Sequence, residues 1–239
     1  MGKHLFSGNT MIKNLIFDFG GVVLPLSPEV AMERFESLGI RDARQRLGAF
    51  GQKGIFRQVE DGSLDAEGFQ RALGRLAQEQ GRDFGDAEPS FTFEQCRWAW
   101  TGYAKRVDPV RLQNLLRLKE HYTVILLSNT NPFMMDWADS SEFSGDGHPV
   151  SYYFHRCYYS YLMHDYKPSP TIFQTVLRES GIRADESLFL DDGQANIEGA
   201  QVVGLHTLLV EDNEDWMPKL NLKIKTLSNP SCKGGGVGR

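Results

Sequence analysis

Cysteine is scarce in this sequence, and long apolar runs are absent. The chain of 239 residues has three cysteines, Cys96, Cys157 and Cys232. Their wide spacing matches no metal-binding pattern, and an odd, scattered set is typical of a reducing compartment rather than of a disulfide framework. No apolar run approaches the ~20 residues needed to cross a bilayer, and the first residues lack a signal-peptide apolar region. We therefore predict a cytoplasmic protein with no membrane partner.

Dense clusters of positive charge are missing too. The formal net charge is −5, and no run of lysine and arginine stands out. Nucleic acid is therefore not an expected partner. The hydrophobic content of 41% and charged content of 24% are ordinary for a globular protein. The length fits one large domain, or a core domain with a smaller insertion.

The most informative stretch that is present covers residues 15–23, Leu-Ile-Phe-Asp-Phe-Gly-Gly-Val-Val. Its apolar start predicts a short buried strand, which ends at the single carboxylate of Asp18. Gly20 and Gly21 follow, and they predict a tight turn with positive φ and a close approach of the backbone to a ligand. Ligands of open parallel sheets bind at the carboxyl ends of strands, so Asp18 is a candidate nucleophile or metal ligand. The alternative is that Asp18 only caps a turn.

Strand and helix patterns alternate along most of the chain, except in one region. Between residue 27 and about residue 100 only helix patterns occur, including residues 55–60 and 69–76. A helical run that interrupts an α/β pattern predicts an inserted domain. We expect an α/β core of residues 1–26 and 102–239, a helical cap of residues 27–101, and a disordered tail from Ser228. The predicted strands are residues 12–17, 122–127, 157–161, 187–190 and 206–210.

Polar side chains stand at four strand ends or helix starts: Asp18, Ser128, Lys167 and the pair Asp191-Asp192. Each could be only a cap or turn residue. Lys167, however, precedes a predicted helix, where the macrodipole disfavours a cation, so an anion such as phosphate would explain it. Clustered carboxylates near Asp18 would repel one another unless a cation such as Mg²⁺ lay among them. Together these groups predict a site for phosphoryl transfer.

The same residues carry a resemblance to a known family. The chain is similar, over about residues 12–210, to the haloacid dehalogenase-like hydrolase superfamily, and most similar to its bacterial sugar-phosphatase-like branch, which includes alpha-D-glucose-1-phosphate phosphatases. In that branch the first motif also carries glycine in place of a second acid, and Phe56-x-x-x-Glu60-x-Gly62 has a counterpart in the cap. The four ordered motifs are Phe17-Asp18-Phe19-Gly20-Gly21-Val22, Leu127-Ser128-Asn129, Lys167-Pro168 and Phe189-Leu190-Asp191-Asp192 with Asn196.

The resemblance implies a fold and a nucleophile. The fold would be a Rossmann-like core with a parallel sheet and an inserted α-helical cap. Asp18 would attack phosphorus and form an aspartyl-phosphate that water later hydrolyses. Mg²⁺ would be held by the Asp18 carboxylate, the Gly20 backbone carbonyl and Asp192, with Asp191 beside it.

It also implies a binding site for the phosphoryl group. Ser128 and Lys167 would hold the phosphoryl oxygens, with Asn129 beside them, and Lys167 would neutralise the charge of the clustered acids. Residues 22–26 would form a mobile flap. The cap would close over the substrate and exclude water.

One departure from the family pattern concerns proton transfer. Most phosphatases of the superfamily have an aspartate two residues after the nucleophile, where this chain has Gly20. General acid–base help is typically worth about 10²–10⁴-fold, so its loss predicts a slow enzyme or another proton carrier. His164, Glu60 and Arg57 are candidates, but a lone histidine is more often structural and helix charges are usually solvated. We assign the role to none of them from sequence.

Three functions are therefore compatible with the sequence. The first is a Mg²⁺-dependent phosphatase acting on a small phosphorylated metabolite such as a sugar phosphate. The second is a metal-independent 2-haloacid dehalogenase, which needs no acid at Gly20 but is poorly suited by the adjacent acids Asp191 and Asp192. The third is a non-catalytic binding protein on a hydrolase scaffold. Neither the substrate nor the oligomeric state follows from the motifs.

Overall fold

The centre of the molecule is a sheet of five parallel strands in the order β3-β2-β1-β4-β5. A computed structural model describes residues 11–48, 52–211 and 213–228. Mostly apolar segments form these strands, because helices cover both faces of the sheet. The strands are β1 Asn14–Phe17, β2 Thr123–Ser128, β3 Arg156–Tyr159, β4 Ser187–Asp191 and β5 His206–Leu209.

The helices begin and end at residues suited to those positions. Asn131 caps one helix by accepting a hydrogen bond from the Met134 amide at 3.0 Å, and Pro132 is the first residue of that helix. Gly181 ends another in the left-handed conformation, with a φ of 66°. The helices are α1 Pro28–Ser37, α2 Ala43–Arg46, α3 Ile55–Glu60, α4 Ala66–Glu79, α5 Phe93–Thr101, α6 Pro109–Lys119, α7 Pro132–Ala138, α8 Ser160–Met163, α9 Pro170–Ser180, α10 Gln194–Val202 and α11 Met217–Ser228.

Successive residues of β1 face opposite sides of the sheet. Leu15 and Phe17 belong to the larger of two apolar clusters, whereas Ile16 belongs to the smaller one, which contains side chains of α9 and α10. This alternation follows from the two-residue period of a strand. Helices therefore cover both faces, and the predicted Rossmann-like α/β class is confirmed.

Helices α1 to α5 follow one another, and the described residues between them contain no strand of the sheet. Their aromatic side chains form one contact group: the ring of Phe56 lies 5.1 Å from Phe35, 5.6 Å from Phe69 and 5.9 Å from Trp100, measured between centroids. The two connections to the rest of the chain run side by side, because the Ser27 amide donates to the Tyr103 carbonyl and the Lys105 amide to Pro25.

The structure corrects three local expectations. Of the two adjacent glycines after Asp18, only Gly21 has a positive φ, 75°, because it alone occupies the left-handed turn position. The sequence patterns predicted no helix over residues 217–228, where the structure has α11 with Leu220 fully buried. Ser228 ends this helix, so the predicted disordered tail does not begin there, and residues 229–239 lie outside the described part.

Segment 22–26, the expected flap, is well anchored at its start. Its Val22 carbonyl accepts hydrogen bonds from Arg111 at 2.8 Å and from the Trp216 indole at 2.9 Å. Val22, Val23 and Leu24 are fully buried. Among the described residues, no helix is long and apolar enough to cross a membrane.

Candidate active site

Three carboxylates meet at the carboxyl end of two neighbouring strands. Asp18 follows β1 and Asp191 ends β4, and these strands are paired in parallel with Phe17 opposite Leu190. Because the carboxyl ends of parallel strands meet at one edge of the sheet, the two acids converge. One carboxylate oxygen from each of Asp18, Asp191 and Asp192 lies within 4.8 Å of the others. The predicted acid cluster is therefore present.

Lys167 lies between two of these acids. Its Nζ is 2.7 Å from Asp18 Oδ1 and 2.7 Å from Asp191 Oδ2, and its side chain is only 1% exposed. A buried ammonium is costly unless it is paired and hydrogen-bonded, and here two carboxylates provide both. Lys167, which the sequence predicted to lie near a bound anion, thus contacts the acid cluster directly.

Asp191 is the most deeply buried acid of the cluster, and several hydrogen bonds fix its position. Its Oδ1 accepts hydrogen bonds from the Gly193 amide at 2.7 Å and from Asn196 Nδ2 at 2.9 Å, while Oδ2 takes the contact with Lys167. The residue is completely buried. These donors fix the turn after β4, which carries Asp192.

Asn129 fixes the backbone of Lys167. Its Oδ1 accepts a hydrogen bond from the Lys167 amide at 2.9 Å, and its Nδ2 donates to the Lys167 carbonyl at 3.0 Å. The turn after β2 and the segment before α9 are therefore joined by one amide side chain. Ser128, the last residue of β2, is buried beside it.

The acids and the lysine perturb one another. Burial raises the pKa of Asp18 to about 8, although the Lys167 ammonium lowers it. The neighbouring charges of Asp191 and Asp192 raise the same pKa. For Lys167, burial lowers the pKa, but the charges of Asp18 and Asp191 outweigh this effect and the net shift is upward. Since three carboxylates face one ammonium, the cluster favours an additional cation.

A cavity of about 430 Å³ opens above the cluster. Six of the seven predicted site residues line it, and the seventh, Asp191, lies behind the wall. The wall also includes Leu26, and a Cβ atom built on Gly20 would come within 2.7 Å of Leu26 Cδ1. An apolar side chain therefore occupies the space beside Gly20. The predicted residues in the wall are Asp18, Gly20, Ser128, Asn129, Lys167 and Asp192.

The comparisons with known proteins agree with this geometry. A family model described as haloacid dehalogenase-like hydrolase matches residues 12–204, which is most of the chain. The chain belongs to this hydrolase family. It is therefore an enzyme of the class that the four motifs predicted.

This hydrolase is similar to known proteins over nearly its whole length. D-ribitol-5-phosphate phosphatase of Bacteroides thetaiotaomicron is 40% identical over 216 residues, which are 90% of this chain and 100% of that protein. A HAD-like family hydrolase from Porphyromonas gingivalis superposes with a TM-score of 0.81 at 32% identity, covering 90% of this chain and 98% of the other. A HAD family enzyme from B. thetaiotaomicron, in complex with magnesium and inorganic phosphate, gives a TM-score of 0.74 at 31% identity and covers 87% and 98%.

Helix α3 contributes a further acid to the cavity of the hydrolase. Glu60, the last residue of α3, lines the wall and is only 5% exposed. Its Oε2 accepts a hydrogen bond from the Tyr166 hydroxyl at 3.0 Å, and the Arg57 guanidinium lies 3.4 Å from the centre of the Tyr166 ring. Burial raises the pKa of Glu60 to about 8, although Tyr166 and Arg57 lower it. His164, in contrast, lies beside Gly62 and away from the wall.

Several wall residues of the hydrolase had no assigned role from sequence. The sequence assigns Glu60 no role because helix charges are usually solvated, but the structure shows that this carboxyl is buried. Its position in Phe56-x-x-x-Glu60-x-Gly62 was the available signal. Tyr166, adjacent to Lys167 in the chain, and Trp100, near the end of α5, had no signal beyond their aromatic character.

Proposed function

We propose that this protein is a Mg²⁺-dependent phosphatase that hydrolyses the phosphate ester of a small sugar or sugar alcohol through an aspartyl-phosphate. The observation that carries the proposal is the position of Asp18. This buried carboxylate follows a central strand, lies 2.7 Å from the Lys167 ammonium, and borders a cavity large enough for a small metabolite. A dehalogenase would use the same aspartate, but a site without metal would leave Asp192 and Asp191 repelling it.

The donor set fits Mg²⁺. Magnesium prefers carboxylate oxygens and usually retains substrate phosphate and water as further ligands. Asp18 and Asp192 would hold the ion together with the Gly20 carbonyl, and Asp191 would support them from behind. When bound, the ion would neutralise charge on the phosphoryl oxygens and on the acid cluster.

Each remaining residue has a role in the transfer. Asp18 attacks phosphorus, and the bond from phosphorus to the leaving oxygen breaks. Lys167 and the Ser128 hydroxyl bind the phosphoryl oxygens and stabilise the charge that develops on them. Asn129 acts through Lys167, because its two hydrogen bonds hold that backbone in place.

The substrate class rests on the cavity and on the relatives. Hydroxyl, amide and carboxyl groups line the wall beside the acid cluster, and they suit a polyhydroxylated substrate. The similarity to D-ribitol-5-phosphate phosphatase supports the same class. We further propose that residues 27–101 act as a cap domain over a core of residues 1–26 and 102–239, since α3 and α5 supply one wall of the cavity.

The test measures phosphate release from a panel of sugar and sugar-alcohol phosphates and from p-nitrophenyl phosphate, with and without a metal chelator. We expect turnover that the chelator abolishes and Mg²⁺ restores. Asp18→Asn should lose activity by more than about 10³-fold, because the nucleophile is removed. Asp86→Asn, at an exposed position, is the matched control.

Two results would contradict the proposal. Folded Asp18→Asn protein with the activity of the control would remove the nucleophile from the mechanism. Halide release from 2-chloropropionate, without phosphate release from any substrate of the panel, would favour the dehalogenase.

A further inference from the structure

The proposed phosphatase lacks a proton carrier beside its nucleophile. An alkoxide leaving group needs a proton as its bond to phosphorus breaks, and the water that hydrolyses the aspartyl-phosphate must lose one. Gly20 has no side chain, and the space next to it is filled by Leu26. The proton must therefore come from another part of the cavity wall.

Glu60 occupies a suitable place in that wall. It reaches the cavity from the end of α3, and its Oε2 accepts the hydrogen bond from Tyr166. Tyr166 directly precedes Lys167, whose Nζ contacts Asp18. The charge of Asp18 also raises the pKa of Tyr166, which burial raises most strongly. The adjacent residues Tyr166 and Lys167 therefore contact Glu60 and the nucleophile Asp18, respectively.

The backbone of Glu60 is fixed to the core as well. The Ser160 hydroxyl donates to the Glu60 carbonyl, and its oxygen accepts a hydrogen bond from the Thr130 amide at 2.9 Å. Thr130 lies in the turn that follows Ser128. A cap residue tied in this way to the phosphate-binding turn keeps a fixed position relative to the reacting group, as proton transfer requires.

The surroundings of Glu60 favour the neutral acid in the absence of substrate. Burial is the largest influence on its pKa and raises it to about 8, and the charge of Asp61 acts in the same direction. The hydrogen bond from Tyr166, the charge of Arg57 and the Asn131 side chain lower the pKa without reversing the shift. At neutral pH the side chain thus carries a proton that it can release.

The other titratable side chains of the wall suit the role less well. Burial raises the pKa of Tyr103 and Tyr166 far above neutrality. Lys167 is held between two carboxylates, and Asp18 and Asp192 belong to the acid cluster. The described part of the wall contains no histidine or cysteine.

We propose that Glu60 is the general acid and then the general base of the reaction, a role that rests on the proposed phosphatase function. In the first step Asp18 forms its bond to phosphorus, the bond to the leaving oxygen breaks, and the carboxyl proton of Glu60 moves to that oxygen. In the second step the Glu60 carboxylate takes a proton from water as the water oxygen attacks phosphorus. The bond to Asp18 breaks, inorganic phosphate leaves, and both acids return to their starting states.

The test is Glu60→Gln, which keeps the size and the acceptor oxygen for Tyr166 but carries no exchangeable acid proton. Turnover of an alkyl phosphate that the wild type hydrolyses should fall by about 10²–10⁴-fold. With p-nitrophenyl phosphate the first step needs no proton, so p-nitrophenolate should appear in a burst of one equivalent per active site. Slow turnover and a trapped aspartyl-phosphate should follow, because the second step has lost its base.

Glu67→Gln is the matched control, because Glu67 is an exposed cap residue outside the cavity. If Glu60→Gln does not fold, Glu60→Leu, also without a proton, replaces it in the same assay. A wild type active on the panel, with a Glu60 variant that keeps the turnover of the control and shows no burst, would overturn this inference alone. A variant that loses only sugar phosphate turnover, with p-nitrophenyl phosphate unchanged, would also overturn it and make Glu60 a substrate-binding residue. A wild type without phosphatase activity would overturn the proposed function and this inference together.

Discussion

Two buried carboxylates face the same cavity but have different partners. Asp18 on the core side contacts the Lys167 ammonium and two further acids, whereas Glu60 on the cap side contacts the Tyr166 hydroxyl. Burial raises the pKa of both to about 8. The two carboxyls therefore differ in the groups that they contact and not in how deeply they are buried.

The partners determine what each carboxyl can do. An ammonium and a divalent cation both stabilise the ionised form, so binding of Mg²⁺ at the acid cluster would leave Asp18 a carboxylate, as a nucleophile must be. A phenol hydroxyl stabilises the charge far less than a cation does, and the nearby Arg57 guanidinium lowers the pKa of Glu60 without reversing its upward shift. Glu60 can therefore stay neutral until a stronger base, the leaving oxygen, comes near. One cavity thus holds an ionised acid and a neutral one, which is the separation that acid–base chemistry needs.

The largest expected effect comes from removing the positive charge on the core side. Lys167→Met leaves Asp18 and Asp191 buried without their shared cation. We expect activity to fall by about 10²–10³-fold, since the proposed electrostatic contact with the phosphoryl group is lost. Breaking a buried ion pair typically costs about 3–5 kcal/mol, so the free energy of unfolding should also fall. Phosphate release and urea unfolding measure the two effects.

Lys225→Met, at an exposed position of α11, is the control for this change. Equal activity in the two variants would mean that Lys167 only neutralises the charge of Asp18 and Asp191 and does not act on the substrate. Saturating Mg²⁺ should restore part of the stability of Lys167→Met, because the ion supplies positive charge to the same carboxylates. Glu60→Gln should gain no such protection beyond that of the wild type.

The core side of this comparison could be predicted from sequence, because parallel strands bring their carboxyl ends to one edge. Asp18, Ser128 and Asp191 each end or follow a strand, so their convergence needed only the order of strands and helices. Lys167 could be added because a cation before a helix needs an explanation. The sheet itself follows from apolar segments that helices cover on both faces.

The cap side could not be predicted in the same way. A helix charge such as Glu60 is buried or exposed according to how the cap packs on the core, and no local pattern encodes that contact. Leu26 fills the space beside Gly20 because of the conformation of the loop between them, which no periodic pattern encodes. Helix α11 is different, because Met217, Leu220, Ile224 and Leu227 are spaced as one face of a helix and pack on the core, so a local signal for this helix was available.

A second, smaller effect should follow from supplying an acid on the core side. Gly20 has no positive φ, so the obstacle to Gly20→Asp is the Leu26 methyl group, at the flexible end of its side chain. Combined with Leu26→Ala, the new aspartate should fit. If Glu60 carries the proton, the two changes together gain little in the wild-type background. In the Glu60→Gln background they should restore up to about 10²-fold of the activity on alkyl phosphates that Glu60→Gln loses.

Leu26→Ala alone, in both backgrounds, controls for the change in cavity shape. Turnover of an alkyl phosphate is measured beside thermal unfolding, because the smaller side chain leaves a void. A gain of about 10²-fold in the wild-type background would show that no proton carrier was present before, and would count against Glu60.

The smallest effect concerns stability and pH, and it isolates the cap acid. The pKa of Glu60 is raised from 4.5 to about 8 on folding, so between these values the folded protein holds a proton that the unfolded chain has lost. The unfolding free energy therefore falls as pH rises through this window, by at most about 1.4 kcal/mol per pH unit from this one group. The glutamine of Glu60→Gln cannot titrate. Between pH 6 and pH 7 the unfolding free energy of this variant should therefore fall by up to that amount less than that of the wild type, as measured by urea unfolding of both proteins. Asp18 and the groups facing Glu60, including Arg57, Asp61 and Tyr103, are present in both proteins and largely cancel in the difference. A difference in unfolding free energy that does not change with pH would mean that Glu60 is ionised in the folded protein, and the two carboxyls of the cavity would then be alike.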